Sequence, residues 1–174
     1  MFFLLQITKY IIVQPDQLGP SLYNHILSKL NSLVGTCNIK WGYLITIFKI
    51  QSIDNGVVNQ HGDAVFTVSF QALVFKPMKD EVLDGIVVGL ERVGIEVKVG
   101  AVKAFIPHTK IPNSYKYDEN QVAFIEDETP YQVIKKDCLV RFKVENVSIK
   151  GQEGAASLNV IGNISDDYLG ILEK

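Results

Sequence analysis

The chain has only two cysteines in 174 residues, Cys37 and Cys138, and no CxxC or Cys/His cluster. That argues against a zinc site, and a lone pair of this kind reads as two ordinary buried thiols in a reducing compartment. Histidine is equally scarce: His25, His61 and His108 are scattered along the chain. No Ser/His/Asp set, paired catalytic carboxylates, phosphate-cradling glycine loop or metal cluster presents itself. The expectation is a protein with no catalytic residue, no metal and no cofactor. Long hydrophobic runs are missing too. Met1 to Leu5 is apolar, but no basic segment precedes it and Gln6 ends it. It is too short for a signal core or a membrane span, so the chain reads as intracellular and soluble, with no membrane partner.

Charge of one sign is the last thing lacking. Seventeen Lys/Arg stand against nineteen Asp/Glu, a net charge of −2. Split after Pro77, residues 1–77 carry five basic and three acidic side chains (+2), and residues 78–174 carry twelve and sixteen (−4). Neither half is the basic body of a non-specific duplex binder, so any nucleic-acid contact must come from a local patch.

What is present is apolar patterning, at 47% hydrophobic residues. Phe66, Val68, Phe70, Ala72 and Val74 alternate with Thr67, Ser69 and Gln71, the period of a half-buried strand. Pro77 removes a ladder donor, Lys79-Asp80-Glu81 follows as a charged break, and Val82 to Val93 reads as strand again. Two β-containing halves joined almost without a linker are expected, 1–77 and 78–174.

In the first half, Phe2–Val13 reads as strand. Gly19-Pro20 opens a helix in which Leu22, Tyr23, Ile26, Leu27, Leu30, Leu33 and Val34 form the apolar face, and Gly35 stops it. Trp41–Ile53 is a strand apolar on both sides. Asp54 to Asp63 reads as a polar flap with Val57-Val58 in its middle, and Ala64–Phe75 returns as strand. The order β-α-β-β is a truncated relative of the split β-α-β sandwich. The aromatic RNA-stacking strand of that class is absent, so Tyr43, Phe48, Phe66 and Phe70 read as core and the half as a protein-docking domain.

In the second half, strands are expected at Val82–Val93, Gly94–Gly100, Ala101–Pro107, Cys138–Val147 and Ala155–Ile161, with a long loop from His108 to about Tyr131. The acidic run Glu126-Asp127-Glu128 reads as a solvated loop tip. Five short strands without a strong helix suit a small closed barrel, the oligonucleotide-binding fold. The spacing of Gly85, Gly94 and Gly100 and the Phe105-Ile106-Pro107-His108 strand end resemble the S1 variety. Lys98, Lys103, His108 and Lys110 along the second and third strands and the loop after them are candidate phosphate contacts. Phe105, Tyr115 and Tyr117 are candidate stacking faces. Glu96 stands where many S1 barrels carry an aromatic, and a carboxylate there repels phosphate. Weak, sequence-tolerant RNA binding is therefore expected.

More specific pieces run the length of the chain: Gly19-Pro20; Gly35-Thr36-Cys37 with Lys40-Trp41-Gly42-Tyr43; Ala72 to Pro77; Glu81-Val82-Leu83-Asp84-Gly85; and Ile161-Gly162 leading to Asp166-Asp167-Tyr168-Leu169-Gly170. With these, the chain resembles the larger stalk subunits of eukaryotic and archaeal RNA polymerases, and among them the seventh subunit of polymerase II. Met78, Asp80 and Asn38-Ile39 depart from that family's pattern near the domain junction. The resemblance implies an α+β chain: a truncated ribonucleoprotein-like β-α-β-β domain, then a five-stranded S1/OB-type barrel. It implies a nuclear, non-catalytic subunit that pairs with the small stalk subunit and docks beside the clamp on the polymerase core, against the largest subunits and a small neighbour. The barrel would contact nascent single-stranded RNA. It assigns core docking to the loops carrying Pro15, Gly19, Pro20, Val57 and Val58. The equivalent subunit of polymerase III, and a free-standing S1 module of translation or RNA decay, are the alternatives.

Overall fold

The computed structural model describes residues 1–126, 132–150 and 157–172. It divides into two compact units, one of Met1–Lys76 and the other of Pro77–Lys150 with Leu158–Lys174.

The first unit is an antiparallel sheet with one helix. Its strands are β1 (Phe2–Val13), β2 (Cys37–Asn38), β3 (Gly42–Ile53), β4 (Val57–Val58) and β5 (Ala64–Phe75), and its helix is α1 (Leu22–Asn31). The sheet order is β1-β5-β3-β2, with β4 also on β5. β5 is the central strand, and its strict alternation sends Phe66, Val68, Phe70, Ala72 and Val74 to one face. That face meets Ile7, Ile11 and Val13 of β1, Leu44 of β3, and Ile26 and Leu30 of α1 in one core.

α1 is shorter than its sequence pattern. Gly19-Pro20 forms a turn closed by the Leu22 N–H on the Gly19 carbonyl (3.0 Å), and Ser21, not Gly19, is the N-cap residue. Proline fixes its own φ without committing the residues after it to a helix, so the first helical residue comes two positions later. Tyr23 and Val34, expected on the apolar face, are exposed. Gly35 has the expected positive φ (+88°), but it closes a turn after the helix and donates its N–H to the Leu44 carbonyl (2.8 Å).

β3 is apolar on both sides because it is irregular, with register shifts between Leu44 and Thr46, Ile47 and Lys49, and Ile50 and Ser52. A bulge inserts one residue and turns the strand. Phe48 sits at one of them and is 62% exposed, which corrects its assignment to the core; Phe66 and Phe70 are buried as expected. The flap is also more ordered than expected: β4 pairs with β5, Val57 opposite Val65 and Val58 opposite Ala64.

The second unit contains β6 (Val82–Glu91), β7 (Gly94–Val99), β8 (Val102–Pro107), β9 (Tyr115–Asp118), β10 (Ala123–Glu126), β11 (Val133–Ile134), β12 (Leu139–Lys150), β13 (Ser157–Asn163) and β14 (Gly170–Ile171). The order β13-β8-β7-β6-β12, closed by pairing of β12 with β13, makes a five-stranded barrel, and β14 adds to the edge of β12. Val87, Ile95, Val97, Ala104, Ile106, Val140, Phe142, Val144 and Val160 fill it. Gly85 lies where a Cβ would stand 2.5 Å from Val97 Cγ1 and 2.9 Å from the Lys98 carbonyl, so only glycine lets β6 and β7 approach there. Within the expected long loop after β8 lie a 3-10 turn at His108–Lys110 and strands β9 and β10, which β11 joins in an antiparallel sheet. Glu126 ends β10, while Asp127 and Glu128 lie outside the described residues.

Candidate nucleic-acid interface

Alternation along β7 and β8 decides what the barrel shows outside. Ile95, Val97, Val102, Ala104 and Ile106 point in, so Glu96, Lys98, Lys103 and Phe105 point out. The register then sets them in two rows across the strands. One row is Ile86, Lys98, Lys103 and Asn159; the other is Gly89, Glu96, Phe105 and Ile161. Glu96, Lys103, Phe105, Ser148, Asn159 and Ile161 line a shallow groove of about 360 Å³ on this outer face.

Phe105 is 37% exposed and so is not a core residue. Its ring lies over Gly94, where a Cβ would stand 2.7 Å from the ring and run into the Ile106 carbonyl. The glycine leaves room for the ring on the outside of the barrel, where its exposed part is a candidate stacking face. Lys103 Nζ is 3.3 Å from Glu96 Oε2, both side chains well exposed. Lys98 has no ion pair among the described residues.

The other candidates fall elsewhere. Lys110 lies beyond the far end of β8 from Lys103. It donates to Glu145 Oε1 (2.7 Å), so its charge is already met. His108 is exposed at the 3-10 turn, its backbone N–H bonded to the Val93 carbonyl (2.9 Å) and its ring 6.0 Å from Phe124. Tyr115 is buried, and its hydroxyl donates to Gln132 Oε1 (2.9 Å). Burial, helped by the Glu126 carboxylate, pushes its phenol up to about 12. It has no free face for a base. Tyr117 is half-buried, its ring 5.1 Å from Phe124. The sequence reading missed Asn159 and Ile161, although the alternation of Leu158 and Val160 (in) with Asn159 and Ile161 (out) carries them.

A larger, polar hollow of about 660 Å³ lies among Lys79, Asp80, Lys143, Glu145, Asn163 and Asp166. Lys143 is shared between Asp80 (3.4 Å) and Asp166 (3.5 Å), and hydrogen bonds to both raise its pKa. With two cations against three carboxylates in its lining, this hollow offers no surplus positive charge to a polyanion. Nearby on the barrel surface, Arg141 makes a two-point contact with Asp84 (2.7 and 2.8 Å), whose hydrogen bonds hold the Asp84 carboxyl below its usual range.

In the first unit, Ala64 is flanked by Val13 and Val58. The Pro15–Pro20 turns and the Val57-Val58 hairpin therefore emerge at one end of the sheet. Pro15, Gly19 and Pro20 are exposed there, as are Val57 (73%) and Val58 (68%).

The chain matches the S1 RNA binding domain family over residues 76–156. It is 33% identical to DNA-directed RNA polymerase II subunit rpb7 of Dictyostelium discoideum, covering 99% of both chains. It is 31% identical to RPB7 of Saccharomyces cerevisiae, over 99% of this chain and 100% of that one. It is 28% identical to DNA-directed RNA polymerase V subunit 7 of Arabidopsis thaliana, over 76% and 74%.

Proposed function

The chain belongs to the family of DNA-directed RNA polymerase II subunit RPB7, and from that premise we propose that it is the larger stalk subunit of polymerase II in its own cells. As a member of that family it is a non-catalytic accessory subunit with an S1-type barrel. The rest of the reading has two parts. The chain pairs with the small stalk subunit, and residues 1–77 dock on the polymerase core beside the clamp through the end of the sheet that carries Pro15, Gly19, Pro20, Val57 and Val58. Docking there biases the clamp toward the state whose pocket fits the tip, which supports initiation. Residues 78–174 contact nascent single-stranded RNA through the β7–β8 face, with Lys98 on phosphate and Phe105 under a base. The subunit works in the nucleus.

The single observation that carries this reading is the correspondence over 99% of the chain with subunits named for polymerase II. Two exposed valines on a polar hairpin suit an anchor in a partner pocket. The test is purification of the tagged protein from its own cells with identification of the chains that come with it. The large polymerase II subunits and one small partner are expected. Polymerase III subunits would change the genes served, and ribosomal or nuclease partners without a polymerase would refute the assignment.

A further inference from the structure

We propose that the Glu96–Lys103 pair reads a base, and that the base it selects is guanine. The inference rests on the β7–β8 face being an RNA surface, and it begins from a conflict on that face. A carboxylate in the middle of a phosphate-binding surface repels its ligand. Yet Glu96 is exposed, cross-strand from Phe105, and held 3.3 Å from Lys103. On its other side stands Gly89, with no side chain; a Cβ there would lie 3.5 Å from Glu96 Cβ and Oε2. The oxygen that faces Lys103, Oε2, is also the one beside Gly89, where no side chain covers it.

An unpaired base stacked on Phe105 directs its Watson–Crick edge at the side chains beside the ring, and in single-stranded RNA that edge is free to be read. Guanine presents there one acceptor, O6, followed by two donors, N1–H and N2–H. Lys103 is a pure donor, and the Glu96 carboxylate is a pure acceptor with two oxygens and lone pairs to spare beyond the one facing Lys103. The ion pair thus offers one donor beside two acceptors, the complement of guanine. Uracil has one donor between two carbonyls and sets a carbonyl against the carboxylate. Cytosine offers a single donor group followed by two acceptors and satisfies one carboxylate oxygen only. On this account the pair does not block the groove; Lys98 is left to hold phosphate.

The test is fluorescence anisotropy of the full chain with labelled oligouridine, and with the same oligomer carrying one central guanosine or one central cytidine. The guanosine oligomer should bind about tenfold more tightly than oligouridine, the discrimination of a good two-point base contact. Glu96→Gln, isosteric and exposed, should bring that ratio close to one while oligouridine binding stays equal or rises, because a negative charge is lost. A ratio near one in the wild type, or a ratio unchanged by Glu96→Gln, would overturn the inference and leave the RNA surface standing. Binding of none of the oligomers would overturn the surface and the inference together.

Discussion

Replacing Lys98 by Gln isolates the electrostatic part of RNA binding. Lys98 is an exposed cation with no acid partner among the described residues, whereas Lys103 faces Glu96 at 3.3 Å. Each single-strand phosphate neutralised contributes about −0.7 to the slope of log affinity against log salt. Lys98→Gln should therefore flatten the slope by about 0.7. Between about 50 and 200 mM salt, the wild type should lose about 2.6-fold more affinity than this variant. Lys103→Gln should flatten the slope by less than half as much, since its charge is already largely neutralised by Glu96. Anisotropy titrations of one labelled oligonucleotide at four or more salt concentrations read both slopes directly. Parallel lines for the wild type and Lys98→Gln would place the phosphate contacts off this face. Equal flattening by the two variants would mean that the Glu96–Lys103 pair opens when RNA binds. Side-chain exposure makes the comparison clean, because neither substitution disturbs the barrel core.

Three other outcomes are expected. Val57→Asp with Val58→Asp should abolish co-purification with the polymerase core while the small partner stays bound. Both side chains are exposed, so folding stability should move by less than about 0.5 kcal/mol. Asp84→Asn should remove an acid-dependent loss of stability. Asp84 is held below its usual range by Arg141, so its contribution is present above the unfolded-state pKa of about 3.9 and is lost as pH falls through the lower folded value. Denaturant midpoints should fall below about pH 4 in the wild type, by a small amount for so exposed a pair, and the variant should lack that component. Tyr115→Phe should leave RNA affinity unchanged and cost about 1 kcal/mol from the hydrogen bond lost to Gln132. With the phenol at about 12 in the folded chain and about 10 unfolded, wild-type stability should also decline from pH 10 toward 12, a decline the variant lacks.

The fold was largely legible because the signals for it are local. The alternation of Phe66 to Val74 marked β5, and the three- and four-residue spacing of Ile26 and Leu30 marked the buried face of α1. Where local rules misled, a tertiary constraint explains it. Phe48 left the core because bulges in β3 rotate it outward. The helix start moved because Gly19-Pro20 closes a turn of its own. Residues 108–126 looked like a loop because β9 and β10 are only four residues each, too short for alternation to be seen.

The candidate site was half legible for the same reason. Periodicity is a property of one strand, and it was enough to put Lys98, Lys103 and Glu96 outside the barrel once the strands were placed. It also sufficed, with the glycines and the longer motifs, to identify the family. Pairing is a property of two strands that can be far apart in sequence, and no local pattern encodes it. Only the β7–β8 register sets Glu96 against Phe105 and within reach of Lys103. Only the parallel β8–β13 pairing brings Asn159 and Ile161 to the same groove. Only the packed barrel gives Lys110 to Glu145, thirty-five residues away, and only the β9-β10-β11 sheet sets the buried Tyr115 against Gln132. The sequence by itself determined which side chains could face water; the tertiary structure decided which of them stand together, because neighbourhood across a sheet is settled by the closing of the whole barrel.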